Sequence, residues 1–185
     1  MHFVYGIAIL AGLGYGFFLE REQGLVRALA KTLPLVLLAI AAWLMDAPWL
    51  LVAGFALSAL GDWCLAFAGE KFFLAGLISF LLAHLAYARL FFLGQDQVWS
   101  AGPYFLAGAV IVFAVALGVF RRLRDRLGPM KWPVAIYTSV IAAMMVSALA
   151  RGPDPVLLSG VALFMASDIA LAFETFPPGT GAKPM

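Results

Sequence analysis

The sequence predicts an all-α protein: a polytopic bundle of about seven transmembrane helices built from two parallel internal repeats. Three observations carry that prediction. First, the composition is too apolar for an aqueous fold. Of 185 residues, 64% are hydrophobic and 12% charged, and the mean hydropathy is +1.00. Soluble domains hold about 45–50% apolar and about 25% charged residues. Second, the apolar residues come in continuous runs of roughly 20, long enough for a helix to cross a bilayer, without the alternation of barrel strands. Lipid offers backbone groups no partners, so the spanning form must be a helix or a closed barrel. Third, a motif returns late in the chain: GDWCLAF at 61–67 is echoed by SDIALAF at 167–173.

The predicted spans fall near 3–19, 27–45, 49–68, 72–93, 103–120, 133–149 and 155–174. The first begins MHFVYGIAIL, with neither a basic leader nor a small-residue cleavage site, so it reads as a spanning helix and not a removed signal peptide. The breaks EREQG, DAP, GEK, GQDQ, RRLRDRLGPMK and RGPDP each supply charge, Gly or Pro where helices must end. Ten of the twelve Lys and Arg residues fall on one side of this layout. Only Arg89 and Arg151 lie towards the other. The excess of positive charge on the cytoplasmic side then puts the N-terminus outside and the basic loop 121–131 in the cytoplasm. Short loops and a strong charge bias fit a multi-pass protein of a bacterial inner membrane. Trp49, Trp99, Tyr104 and Trp132 stand at span ends, as interface belts do. The single cysteine, Cys64, excludes an internal disulfide and reads as a small apolar filler. Nothing suggests a soluble domain or a nucleic-acid partner. Residues 1–185 read as a single transmembrane domain with a polar tail at 175–185.

A shift of 106 residues lays span three on span seven. Gly54, Ala56, Leu57, Asp62, Leu65, Ala66 and Phe67 meet Gly160, Ala162, Leu163, Asp168, Leu171, Ala172 and Phe173. KTLP at 31–34 and KWP at 131–133 open spans two and six. The repeat therefore relates span n to span n+4, an even step, so the halves (about 3–93 and 103–174) run parallel. Such a duplication predicts an eighth span matching the fourth. After Phe176 the chain continues as PPGTGAKPM, too polar and too short to cross. Either the sequence stops short of that helix or the protein lacks it.

Polar residues inside these spans are the candidates for chemistry. Asp62 and Asp168 stand at one register in their spans, which open at Trp49 and Pro155. At about 1.5 Å per residue that register is roughly 20 Å into a core about 30 Å thick. A carboxylate there costs about 2.5–3.5 kcal/mol on insertion scales, and it faces the bundle interior or a wet cavity. Ser58, Ala59 and Gly61 precede Asp62, and Ala166 and Ser167 precede Asp168. These small residues let helices approach closely or leave space for a substrate. Tyr137 lies about one turn into span six, near the Asp depth. Lys31 and Lys131 sit at the mouths of spans two and six, as topological anchors or as a pair suited to a phosphate. Phe73, Gly76, Phe80, His84 and Tyr87 share one face of span four. His84 is either a bonded structural histidine or a cavity residue.

Taken together, GDWCLAF, FFLAGLISFLLAHLAYARLF, KWPVAIYTSVIAAMMVSAL and GVALFMASDIALAF, in that order, resemble the YhhN-like, lysoplasmalogenase family of integral membrane proteins, over nearly all of residues 31–173. The resemblance implies hydrolysis of the vinyl ether bond of lysoplasmalogens, a lysophospholipid substrate held in the bilayer, to a fatty aldehyde and glycerophospho-ethanolamine or -choline. It makes Asp62 and Asp168 the acidic pair, His84 the family's histidine and Tyr137 its tyrosine. Ser58, Ser167, Lys31 and Lys131 join the substrate-binding set. The chemistry calls for no metal or organic cofactor. Two departures stand out: KTLP spaces its Lys and Pro apart, and the last helix is missing.

Two rivals use the same residues differently. An intramembrane aspartyl protease also carries two membrane aspartates, but usually with Gly where this chain has Ala59 in ALGD. A proton-coupled transporter of a small solute or lipid suits parallel repeats with carboxylates at the repeat interface. No span carries an obvious mid-helix Gly/Pro break to support it.

Overall fold

The structure is a computed structural model that describes residues 25–93, 103–152 and 154–177. The predicted first span, Trp99 and most of the polar tail lie outside the described residues. Among the described residues six α-helices follow one another: α1 Leu25–Leu44, α2 Trp49–Leu65, α3 Glu70–Leu93, α4 Pro103–Leu123, α5 Lys131–Ala150 and α6 Pro155–Thr175, with a 3-10 turn at Gly128–Met130 before α5. No strand occurs among them. Each helix overlies one predicted span. The stretches Glu70–Leu93, Tyr104–Leu123, Gly128–Ala150 and Pro155–Thr175 are long and apolar enough to cross a membrane; Ala28–Leu44 and Trp49–Leu65 are apolar but shorter. Large apolar side chains point outward, Val156 and Leu163 being 80% and 72% exposed. In water such a surface would drive association; in lipid it is simply solvated.

The chain divides into two compact units, one ending at Leu90 and the other beginning at Phe91. In the first unit, α1 and α2 are joined by a short turn, 45–48. Ala47 N–H donates to the Ala42 carbonyl at 3.0 Å and Asp46 N–H to the Trp43 carbonyl at 3.1 Å, with Asp46 at φ 52°. This is the Schellman closure of a helix end, and Pro48 forbids any continuation. Pro34 stands inside α1, where it has no N–H to offer the carbonyl of Ala30. Thr32 Oγ1 donates to the Ala28 carbonyl at 2.9 Å.

The α2–α3 pairing rests on glycine. A Cβ on Gly54 would collide with the Tyr87 ring, and one on Gly61 would lie 2.6 Å from the Phe80 ring carbons. The spacing from Gly54 to Gly61 equals that from Phe80 to Tyr87, so two rings of α3 lie on two bare backbone sites of α2. Gly76 repeats the device in reverse against Leu65. Small residues that allow this approach replace the missing hydrophobic drive between helices in lipid. Trp63, Phe67 and Phe72 stack in tilted pairs at the α2–α3 turn, with centroids 5.6 and 5.4 Å apart.

The second unit packs α4 on α5 and α5 on α6, and Leu123, Leu127, Met144 and Ala148 are buried. RGPDP turns α5 into α6. Gly152 takes φ 111°, a conformation a side chain rarely adopts. Asp154 Oδ1 accepts from Val156 N–H at 2.9 Å and Leu157 N–H at 3.1 Å. Pro155 fills the first helical position, where no N–H is needed. Asp154→Ala should lower stability in detergent by about 1 kcal/mol, the usual value of an N-cap, whereas Asp154→Ser should keep most of it. Thermal unfolding of the two variants checks the difference, and equal losses would remove the capping account.

Candidate functional site

Asp62 and Lys31 form an ion pair in the first unit. Lys31 Nζ lies 2.8 Å from Asp62 Oδ1, with side chains 26% and 15% exposed. The fold brings them together by simple register. Lys31 precedes the end of α1 at Leu44 by as many positions as Asp62 follows the start of α2 at Trp49. Two antiparallel helices joined by a tight turn place such residues at one height, roughly 20 Å from the turn. Lys31 is therefore an ionic partner of the carboxylate in this structure. Asp62 is in the last turn of α2, which ends at Leu65, short of the predicted limit at 68; Gly69, at φ 118°, belongs to the turn that replaces it.

Ser58, one turn before Asp62, is fully buried. It lies beside Tyr87, whose ring meets Phe55 edge-on at 6.1 Å. His84 is 0% exposed. Its Nδ1 lies 2.6 Å from the carbonyl oxygen of Phe80. A carbonyl only accepts, so Nδ1–H is the donor and the ring is tied to its own helix. That bond is compatible with both readings of His84 open in the sequence. Tyr87 and Phe80, read from the sequence only as a face of span four, are the residues that seat α3 on α2.

In the second unit Asp168 is 7% exposed. It and Val161 are the buried residues of α6. They are two turns apart and so share one narrow inward face. Neighbouring Ser167 is exposed and Tyr137, on α5, is half-buried. Lys131 is exposed at the start of α5. A cation there gains nothing from the helix dipole, whose N-terminal end is positive. Arg126, from the basic loop, is instead used structurally: its Nη1 donates to the Phe176 carbonyl at 3.3 Å, closing the end of α6.

Asp62 and Asp168 occupy the same register in their helices, yet their surroundings differ. α6 runs a full turn further beyond its aspartate than α2 does. Gly54 is covered by Tyr87, whereas among the described residues no atom lies within 4 Å of where a Cβ on Gly160 would be.

Across known proteins, a family model matches residues 26–184, that of the YhhN family. No curated protein and no solved structure matches the chain.

Proposed function

Because the chain belongs to the YhhN family, we propose that it is a membrane hydrolase that cleaves the vinyl ether bond of lysoplasmalogens. The products are a fatty aldehyde and a glycerophospho-ethanolamine or -choline. The observation that carries this reading is the burial of Asp168 on a helix whose other side chains, Val161 apart, face outward or are half-covered. A carboxyl kept from lipid at such cost is a functional group by default.

The reaction needs what carboxyls supply. Protonation of the vinyl carbon remote from oxygen makes an oxocarbenium ion. Water adds to the cationic carbon and gives up a proton; the resulting hemiacetal then loses its hydroxyl proton as its bond to the glycerol oxygen breaks, and that oxygen takes a proton. One carboxylic acid donates the first proton; one carboxylate steadies the cation and receives the proton of water. Asp62 and Asp168 are the pair the reading assigns to these roles. Tyr137, His84, Ser58 and Ser167 belong to the binding set in this reading, and exposed Lys131 suits the headgroup phosphate. The bilayer supplies the substrate sideways, with the basic loop on the cytoplasmic side of a bacterial inner membrane.

The test is aldehyde release from lysoplasmenylethanolamine by the purified full chain in detergent. Turnover supports the hydrolase. Its absence in folded protein, with counterflow of a small solute or lipid in proteoliposomes, moves the function to proton-coupled transport.

A further inference from the structure

Of the two candidate acids, Asp62 carries an ion pair with Lys31. We infer that Lys31 is a positioning residue that holds Asp62 as the anionic member of the catalytic pair, which leaves protonation of the vinyl carbon to another group. This inference rests on the hydrolase reading and deepens it.

The geometry is specific. The contact is 2.8 Å, a charge-assisted bond, and it is made to one carboxylate oxygen, Oδ1. Asp62 is 15% exposed and Lys31 26% exposed, so the pair is mostly but not wholly withdrawn from its surroundings. The ammonium stands against the carboxyl as its counter-ion, and the bond fixes the direction in which Oδ1 points. A carboxyl held as an anion is poorly placed to donate a proton to carbon. It is well placed to face the oxocarbenium ion and to take the proton of the attacking water. The balance closes over the cycle: the donor gives H⁺ to carbon, water adds its oxygen to the cationic carbon and Asp62 receives the released H⁺; as the hemiacetal opens, the departing glycerol oxygen takes that proton from Asp62 and the hydroxyl proton lost in forming the aldehyde restores the donor. No oxidant, reductant or metal enters.

The same contact argues against Lys31 as the phosphate anchor. A cation committed to a carboxylate at 2.8 Å is largely neutralised towards a second anion. The two roles differ in kinetics. An anchor contributes binding in ground and transition states alike and shows in KM; a residue that sets the charge and aim of Asp62 shows in kcat.

The experiment uses the full chain in detergent with Lys31→Met, Lys31→Arg, Asp62→Asn and the double variant Lys31→Met/Asp62→Asn. It measures aldehyde release from lysoplasmenylcholine, and equilibrium binding of a lysophosphocholine with a saturated ether chain, which cannot be cleaved this way. Lys31→Met is expected to lower kcat roughly 10²-fold or more, in the range of a general acid–base contribution, and to change the dissociation constant of the ether analogue less than about 3-fold, the size of one exposed charge contact. Lys31→Arg should recover kcat to within about tenfold, because it restores a cation beside Asp62 without matching the lysine geometry. If Lys31→Met does not fold, the double variant removes both charges together; it should turn over no more slowly than Asp62→Asn alone and bind the analogue equally well. An active wild type whose Lys31→Met keeps kcat and loses analogue affinity overturns the inference and leaves the hydrolase standing. So does a double variant that binds the analogue more weakly than Asp62→Asn. A folded wild type that releases no aldehyde overturns the hydrolase reading, and this inference with it.

Discussion

Asp168→Asn should lower aldehyde release about 10²- to 10⁴-fold, the span measured for positioned acid–base groups, with helix content and elution from gel filtration unchanged. The substitution keeps shape and hydrogen-bonding capacity but removes the ability to hold a transferable proton as an acid. Asp168 is buried on a narrow face of α6 that it shares with Val161, so an isosteric amide fits where a larger change would not. Asp62→Asn should cost a similar factor. That change leaves Lys31 without its carboxylate partner, so a modest loss of stability is expected alongside. On the proposed mechanism the two residues serve one reaction and act as a unit, so the double variant should be hardly slower than either single one. Half or more of wild-type activity in a folded Asp168→Asn would end the two-carboxylate mechanism. A double variant whose defects multiply would place the two acids in separate tasks.

The second large effect is on packing. Gly61→Ala puts a methyl 2.6 Å from Cδ2 and Cε2 of Phe80, and Gly54→Ala drives one into the Tyr87 ring. Neither ring can retreat cheaply, because each is buried between helices. Overpacking of this kind costs about 1–3 kcal/mol per site. Gly160→Ala provides the control. Among the described residues nothing lies within 4 Å of the added carbon, and Ala is the better helix former by about 1 kcal/mol. Thermal unfolding in one detergent should rank Gly160→Ala at or above wild type and both other variants well below it. Pairing Gly61→Ala with Phe80→Leu should recover part of the loss. A Gly54→Ala variant as stable as Gly160→Ala would mean the ring does not rest on that backbone.

Much of this fold is legible in the sequence because helix ends are chemically marked. RGPDP states its own structure: a glycine for the left-handed turn, an aspartate to accept two N–H groups, and a proline where no donor is wanted. DAP does the same with Asp46 and Pro48. The pairing of Lys31 with Asp62 is less plain, because it depends on tertiary register. The signal exists all the same, in the equal spacing of the two residues on either side of the 45–48 turn. Hydropathy alone places Asp62 well inside a span; the helix stops at Leu65 because Ala68–Gly69 breaks where the matching Glu174–Thr175 does not. The seating of Phe80 and Tyr87 on glycines is invisible to periodicity, which identifies a shared face but not what lies against it. The duplicated aspartate motif gives two helices of like register and unlike surroundings, since identity along the chain does not dictate what packs on each copy.

The short connections have a consequence for degradation. A protease must draw its substrate into an extended strand, and four residues stretch to at most about 14 Å. At 45–48, 66–69 and 151–154 the chain is already spent on closing one helix and opening the next. Cutting there would require unwinding helix on at least one side, within the bilayer's reach. The basic stretch at the end of α4 is different in kind: Arg121 and Arg122 in the last turn and Arg124 just beyond it are exposed, while Arg126 is tied to the Phe176 carbonyl and Leu127 is buried. Among the described segments, that stretch is the expected first place for a protease to cut, and a cut there would free the Arg126 contact that closes the end of α6.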